Sequence, residues 1–358
     1  MTVTEFFASR PIPIIQAPMV GASSTPMTVA VSAAGGLGSV GAGGLSPEEI
    51  AATARAIRQQ TDAPFSLNLF VNPPVEPSRA ELDLALSRLA PWYAEISVPL
   101  PQIPDDFAPD FAAQFQAVLT AAPAAASFTF GTISQQQAQA LRSAGVLVIG
   151  TATTVAEARA WREIGADGIC AQGFEAGGHR GHFLAEPQAS LVGTFALVST
   201  IRAQVDLPVI AAGGIMDGHG VAAALALGAV AAQMGTAFLL ADECVISPPW
   251  RAAILAAADD STRLTRAITG RHARGIETRF MRKMRAVEDE VPAYPVQNKL
   301  TQALRAAAAR EGKADLMSLW AGQGVKLAVT GRSADLLALW WGQAKSASER
   351  LVARTATH

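Results

Sequence analysis

Residues 172–181, QGFEAGGHRG, hold one imidazole, His179, between closely spaced glycines. Flanking glycines let the backbone lie against a ligand and leave the ring free for hydrogen bonding or proton transfer. Imidazole is also the side chain whose charge changes nearest neutral pH. Arg180, the next residue, would favour an anionic partner. The plainer alternative is a surface loop carrying a solvated histidine. His182, His219, His272 and His358 fit that description better. His179 alone leaves a strand-like run, 168–172, at the end where a barrel would carry out catalysis.

Two further segments have residue types that suit a ligand. Ala211-Ala212-Gly213-Gly214-Ile215 and Gln233-Met234-Gly235-Thr236 each follow or end an apolar run. Glycines there let backbone N–H groups approach an anion, and the start of a following helix adds partial positive charge. Each pair alone is explained by a tight turn. Together, after the seventh and eighth strands of a barrel, they favour a phosphate site. Gln16-Ala17-Pro18-Met19 closes the first apolar run. Asn68 sits inside the third, where a satisfied core amide and a ligand contact are equally good readings.

These residues need elements to position them. Eight apolar runs, 13–19, 37–42, 65–70, 127–131, 146–150, 168–172, 208–212 and 231–236, read as strands buried on both faces. Helix starts separate them. Thr25-Pro26 places a hydroxyl before a proline, Ser46 with Glu49, Ser134 with Gln137 and Thr154 with Glu157 have capping-box spacing, and Asp217 can cap an alanine-rich helix. Alternating strands and helices predict an α/β fold, most naturally a (β/α)8 TIM barrel over residues 1–242, with an open doubly wound sheet as the alternative. Residues 72–125 break the repeat and read as an elaborated connection with an amphipathic stretch near 81–89 and a weak extra strand. Residues 243–345 read as a smaller, mainly helical second domain that covers the barrel mouth and packs back on it.

Composition excludes several classes. The 358 residues are 50% apolar and 16% charged, with net charge −2, and the mean hydropathy is +0.25 with a pI near 6.2. This is a core-rich α/β composition with no bulk attraction for nucleic acid. The basic stretch 263–285 reads as a solvated helix face or a weak steering field for small anions; Phe280 alone gives too little aromatic interleaving for a nucleic-acid groove. Cys170 and Cys244 have no metal-ligand spacing and form no disulfide framework, which predicts no metal and a reducing, cytoplasmic setting. No leader segment is evident. The uncharged run 221–241 is interrupted by Gly228 and 233–236, so a helix, a turn and a buried strand are expected there, not a membrane span. P-loop, HExxH and GxSxG patterns are absent, and no GxGxxG opens a helix.

Taken together, the 13–19 run, Asn68, QGFEAGGHRG, AAGGI, QMGT, TGRHARG (269–275) and LWAGQG (319–324) resemble the nitronate monooxygenases, from about residue 12 to residue 324. The resemblance implies a barrel holding non-covalent FMN. Asn68, Gln172, Gly177, Gly214, Gln233, Met234, Gly235 and Thr236 would bind the flavin, with Gln16, Pro18, Met19, Gly178 and Gly213 completing the contacts. His179 would be catalytic, and Tyr294 and Lys299 would contact an anionic substrate. The implied reaction is oxidation of an alkyl nitronate, such as propionate 3-nitronate, by dioxygen to a carbonyl compound and nitrite through a flavin semiquinone. A monomer or homodimer is expected. Relatives with the same loop include an FMN-dependent enoyl-ACP reductase and an NAD(P)H:quinone reductase. These are the alternative enzymatic readings, and a flavin-binding protein without turnover is the non-enzymatic one. Only two tyrosines are present, Tyr93 and Tyr294, fewer than some members place around the substrate.

Overall fold

In a computed structural model, residues 1–184 and 186–355 are described; His358 lies outside them. Eight parallel strands form a TIM barrel: β1 (Ile14–Gln16), β2 (Gly38–Gly41), β3 (Phe65–Phe70), β4 (Ala125–Thr129), β5 (Leu147–Ala152), β6 (Gly168–Gln172), β8 (Val209–Ala212) and β9 (Ala231–Met234). The ring closes between β1 and β2, where Gln16 N donates to Leu37 O at 3.0 Å and Leu37 N to Ile14 O at 3.0 Å. β7 (Gly178–His179) lies outside the barrel, in a three-stranded antiparallel sheet with β10 (Thr262–Thr265) and β11 (Ala273–Ile276).

The strands are buried almost throughout, because the barrel interior covers one face and the helices cover the other. Ser46 and Ser134 form the expected capping boxes, and Asp217 accepts from Gly220 N. Ser24, not Thr25, caps the first barrel helix. Thr154 caps its helix, but the Glu157 carboxylate turns away and binds Thr153, Phe183 N and Leu184 N instead. Inside the 221–241 run the helix Gly218–Ala226 stops before Gly228, whose φ of +91° makes the turn into β9. Among the described residues no helix is long and apolar enough to cross a membrane.

Two differences from the sequence reading affect the site. No strand forms between β3 and β4; the segment holds two helices, Arg79–Glu95 and Phe111–Ala121. The first of them leaves the barrel. Leu82, Leu89 and Tyr93 pack with Phe280, Met281, Leu300, Leu304 and Leu316 in a second apolar core, forming a cap over the strand ends. Tyr93 locks this core, its hydroxyl donating to Leu300 O at 2.6 Å and accepting from Leu304 N at 3.2 Å. The second difference is the helix Ser333–Thr355, which returns to the barrel as its eighth outer helix, with Trp340 edge-on to Phe238 at 4.9 Å. The sheet β7–β11–β10 also adds strand structure to a region read as helical.

Candidate active site

A cavity of about 410 Å³ opens at the C-terminal ends of the barrel strands, beneath the cap. Pro18, Met19, Asn68, Gln172, Gly177, Gly178, His179, Gly213, Gly214, Gln233, Gly235, Thr236 and Tyr294 all line it. Three expected residues do not. Gln16 is fully buried behind the wall, its amide bridging Ser23 Oγ and Ser39 N. Met234 points into the apolar core, because strand alternation sends it to the opposite face from Gln233 and Gly235. Lys299 is exposed, on a helix that presents Asn298 to the cavity instead.

His179 is clamped between barrel and cap. Its strand β7 pairs with β11, placing His179 opposite Ala273, and Arg180 N donates to His272 O at 2.8 Å. Behind it, the Gln172 amide stitches the loop closed: Nε2 donates to His179 O at 3.0 Å and Oε1 accepts from Gly181 N at 2.7 Å. The imidazole contacts Tyr294, Trp320 and Phe130 with ring centroids 5.4, 5.6 and 5.7 Å away. Nε2 lies 2.9 Å from Thr269 Oγ1, which also reaches Arg271 O at 3.2 Å. With its single proton on that carbonyl, the hydroxyl accepts from Nε2–H and leaves Nδ1 as the basic nitrogen. Burial, then the charges of Arg271 and Arg305, push the His179 pKa down to about 3. The ring is therefore neutral at neutral pH.

Arg180 does not attract an anion here. It is 1% exposed, and its guanidinium donates to Gln172 Oε1, Gln172 O, Gly173 O and Ser190 O at 2.6–3.2 Å. The basic stretch is a solvated helix face only in its last part, Arg279–Met284, where Arg282 and Lys283 are exposed. Arg271 lies over the Phe130 ring, 4.2 Å from its centroid, and donates to Arg180 O and His182 O. Arg274 is buried over Phe174. The outer residues Arg279, Arg282 and Arg285 make exposed pairs with Glu95, Asp315 and Glu277.

The glycines explain why QGFEAGGHRG and LWAGQG belong together. A Cβ on Gly177 would stand 2.5 Å from Gly322 N, and one on Gly322 would stand 2.7 Å from Glu175 O. The two backbones touch there, joined by Gln323 N to Glu175 O at 2.9 Å. On the barrel side Gly213 and Gly214 have φ of +113° and +70°, the left-handed region that glycine adopts without strain. Among the described residues, the N–H groups of Gly213, Gly214, Gly235 and Thr236 donate to no acceptor of the chain. That is the donor set a phosphate monoester needs. Asn68 is a satisfied core amide at its nitrogen only. Its Nδ2 is satisfied by Ser127 and Thr129, while its Oδ1 has no partner among the described residues and the residue lines the cavity.

Sequence reasoning did not single out Phe130, Asn298, Arg305 and Ser318, which also line the cavity. Phe130 has a φ of +83°, a costly conformation for an aromatic residue and a mark of functional positioning. Arg305 sits in an amphipathic helix, Gln302–Arg310, where one arginine among exposed neighbours gives no signal. Cys170 lines the floor as a protonated thiol, its pKa pushed up to about 12 by burial.

Neutral burial of His179 and His182 has a measurable consequence. The pKa values fall from 6.5 to about 3 and about 4, burial being the main cause in both, and His182 Nδ1 is buried without a partner among the described residues. The unfolded chain then binds more protons than the fold between those values. Stability is complete above pH 6.5 and falls as pH drops toward 4. Thermal midpoints are expected to decrease from pH 7 to pH 4.5, with about 1–3 kcal/mol attributable to His182. His182→Asn should flatten that slope; an unchanged slope would refute the assignment.

The nitronate monooxygenase family model matches residues 3–338. A protein of Staphylococcus saprophyticus described as a probable nitronate monooxygenase is 41% identical over 317 residues, covering 88% of this chain and 89% of that protein. Among solved structures, a nitroalkane oxidase from Streptomyces ansochromogenes superposes with TM-score 0.90 at 38% identity, over 97% of this chain and 99% of the other. FabK from Thermotoga maritima superposes with TM-score 0.77 at 28% identity, over 99% of each chain.

Proposed function

The chain belongs to the nitronate monooxygenase family, an oxidoreductase family, and on that premise we propose that it oxidises alkyl nitronates with dioxygen to a carbonyl compound and nitrite, using FMN. The observation that carries this reading is a neutral imidazole facing a cavity whose opposite wall offers a phosphate-type donor set.

FMN fits the residues present. Gly213, Gly214, Gly235 and Thr236 would hold its phosphate. Asn68, Gln172, Gln233, Pro18, Met19, Gly177 and Gly178 would line the ring system. When bound, the flavin supplies the electron acceptor for the substrate and the route to dioxygen. The chain supplies everything else. The glycine cradle fixes the cofactor, and Tyr294, Trp320 and Phe130 shape an aromatic wall beside His179. His179 Nδ1 accepts a proton from the carbon of a neutral nitroalkane, or a hydrogen bond when the substrate is already a nitronate. The cap, residues 243–332 with the helix Arg79–Glu95, acts as a lid that excludes water. A cytoplasmic enzyme acting without nucleic acid or membrane is part of the same reading.

The test is nitrite release from propionate 3-nitronate in air, with and without NADH, on protein that carries FMN. Nitrite should form at the same rate in both. Rapid NADH oxidation with a quinone or an enoyl thioester, and no nitrite, would replace this reading with a reductase. A protein that takes up no FMN would end all the flavin readings.

A further inference from the structure

We infer that Arg305 is the anion-recognition residue of this cavity, receiving the planar oxyanion of a monoanionic substrate, a nitronate or a carboxylate. The identity of that substrate rests on the nitronate reading; the anion site does not.

Among the described residues Arg305 is the one charged side chain that lines the cavity, and no carboxylate of theirs lines it. Among the described residues no ion pair involves Arg305. A guanidinium withdrawn from water without a counter-charge is costly unless a ligand supplies one. The side chain is also held in place before any ligand arrives. Nη2 donates to Asn298 O at 2.9 Å and Asn298 Oδ1 at 2.8 Å, and Nε donates to Thr301 Oγ1 at 3.2 Å. Nη1 has only a long contact, 3.5 Å, to Ser318 Oγ, so its edge of the fork remains for an acceptor.

Other candidates for the charge are occupied. His179 is neutral, Arg180 is bound to loop carbonyls, and Arg271 is held over Phe130 by carbonyls. Arg305 also stands away from the phosphate cradle. Its neighbour in the cavity wall, Tyr294, packs edge-on to Phe70 at 6.3 Å and Phe130 at 5.6 Å, at the ends of β3 and β4. The cradle follows β8 and β9, across the ring of strands. One cavity thus separates two anions: phosphate on one wall, substrate on the other. Burial keeps the Tyr294 hydroxyl protonated, with its pKa pushed up to about 12, so it serves as a second donor beside the guanidinium.

The experiment is calorimetric titration of the FMN-loaded protein with sodium nitrate, a planar oxyanion that cannot react, and with sodium chloride, in low-salt buffer free of phosphate. Wild type should bind nitrate more tightly than chloride. Arg305→Leu should weaken nitrate roughly ten- to hundred-fold, the loss of one charge-assisted contact. Arg305→Lys keeps the charge without the planar fork, so it should bind both ions with little preference. Lys299→Leu, outside the cavity, should titrate as wild type. Wild-type nitrate binding that survives in Arg305→Lys with its preference over chloride intact would overturn the assignment, as would no nitrate binding at all. If Arg305→Leu does not fold, the selectivity of Arg305→Lys decides. Failure to release nitrite from nitronates would change the substrate while leaving this titration to stand or fall separately.

Discussion

Replacing His179 by asparagine is expected to lower nitronate turnover by roughly 10²–10⁴-fold while the protein still folds and takes up flavin. The fold should survive because the loop is held by Gln172, Arg180 and the pairing of β7 with β11, and none of these uses the imidazole ring. The asparagine amide ends near the position of Nδ1 and does not reach Thr269 Oγ1, which keeps its bond to Arg271 O. What it lacks is a basic nitrogen. The wild-type ring is neutral, with Nε2–H directed at Thr269 and Nδ1 carrying the lone pair. Proton removal from a nitroalkane carbon requires an unprotonated lone pair, which hydrogen bonding to a preformed nitronate does not, so the loss on neutral nitroalkanes should equal or exceed the loss on preformed nitronates. Nitrite assays on both substrate forms, with the flavin spectrum as control, measure this. Wild-type rates on both forms would remove His179 from the chemistry.

Thr269→Val separates position from chemistry. It deletes the acceptor that fixes the tautomer and leaves the ring in place. A shifted acid limb in the rate profile, with flavin uptake unchanged, is the result a positioning role requires.

The barrel was legible because its signals are local. Both-face burial makes the strand runs continuously apolar, and Ser46, Ser134 and Asp217 start their helices with their own side chains. The glycine turn after β8 was legible for the same reason: two adjacent glycines with positive φ at a strand end form a backbone requirement written in one place. The cap was less legible. Its core joins residues near 82–96 to residues near 267–319, and nothing in either segment alone shows the other. The last helix reads from sequence as part of the lid because its apolar face, Leu336, Leu337 and Trp340, does not reveal which surface it covers. Misplaced and missed site residues follow from the same limit. Lys299 and Asn298 are neighbours, and a one-residue rotation on the helix decides which meets the cavity. Arg305 looks like any surface arginine until the cap folds it over the barrel mouth. Arg180 is the reverse case, a cation beside a histidine that reads as an anion contact and proves to be interior scaffolding.

That scaffolding supports the second large prediction. Arg180→Leu is expected to destabilise the protein by about 3–5 kcal/mol, the range for deleting one partner of a buried charged network. Leucine is close enough in size to fill part of the space, so the cost arises from what is left behind. The carbonyls of Gln172 and Ser190 would lose Arg180 as a donor inside the protein, while Gln172 Oε1 and Gly173 O would keep Gly181 N and Ala176 N alone. Each buried unsatisfied acceptor costs about 1–3 kcal/mol before the loop relaxes. Glu157 and Glu175, both close enough to raise the affinity of Arg180 for its proton, would lose a compensating cation. Arg180→Lys should recover little, because one ammonium cannot reach acceptors arranged around a planar fork. Thermal denaturation measures the loss, expected as a fall of roughly 4–7 °C. Flavin affinity should weaken in parallel, since Gln172 and Gly177 both take their positions from this loop. Variants that denature within a degree of wild type and hold flavin as tightly would show that the loop stands without Arg180. The glycine contacts between Gly177 and Gly322 would then be what fixes His179.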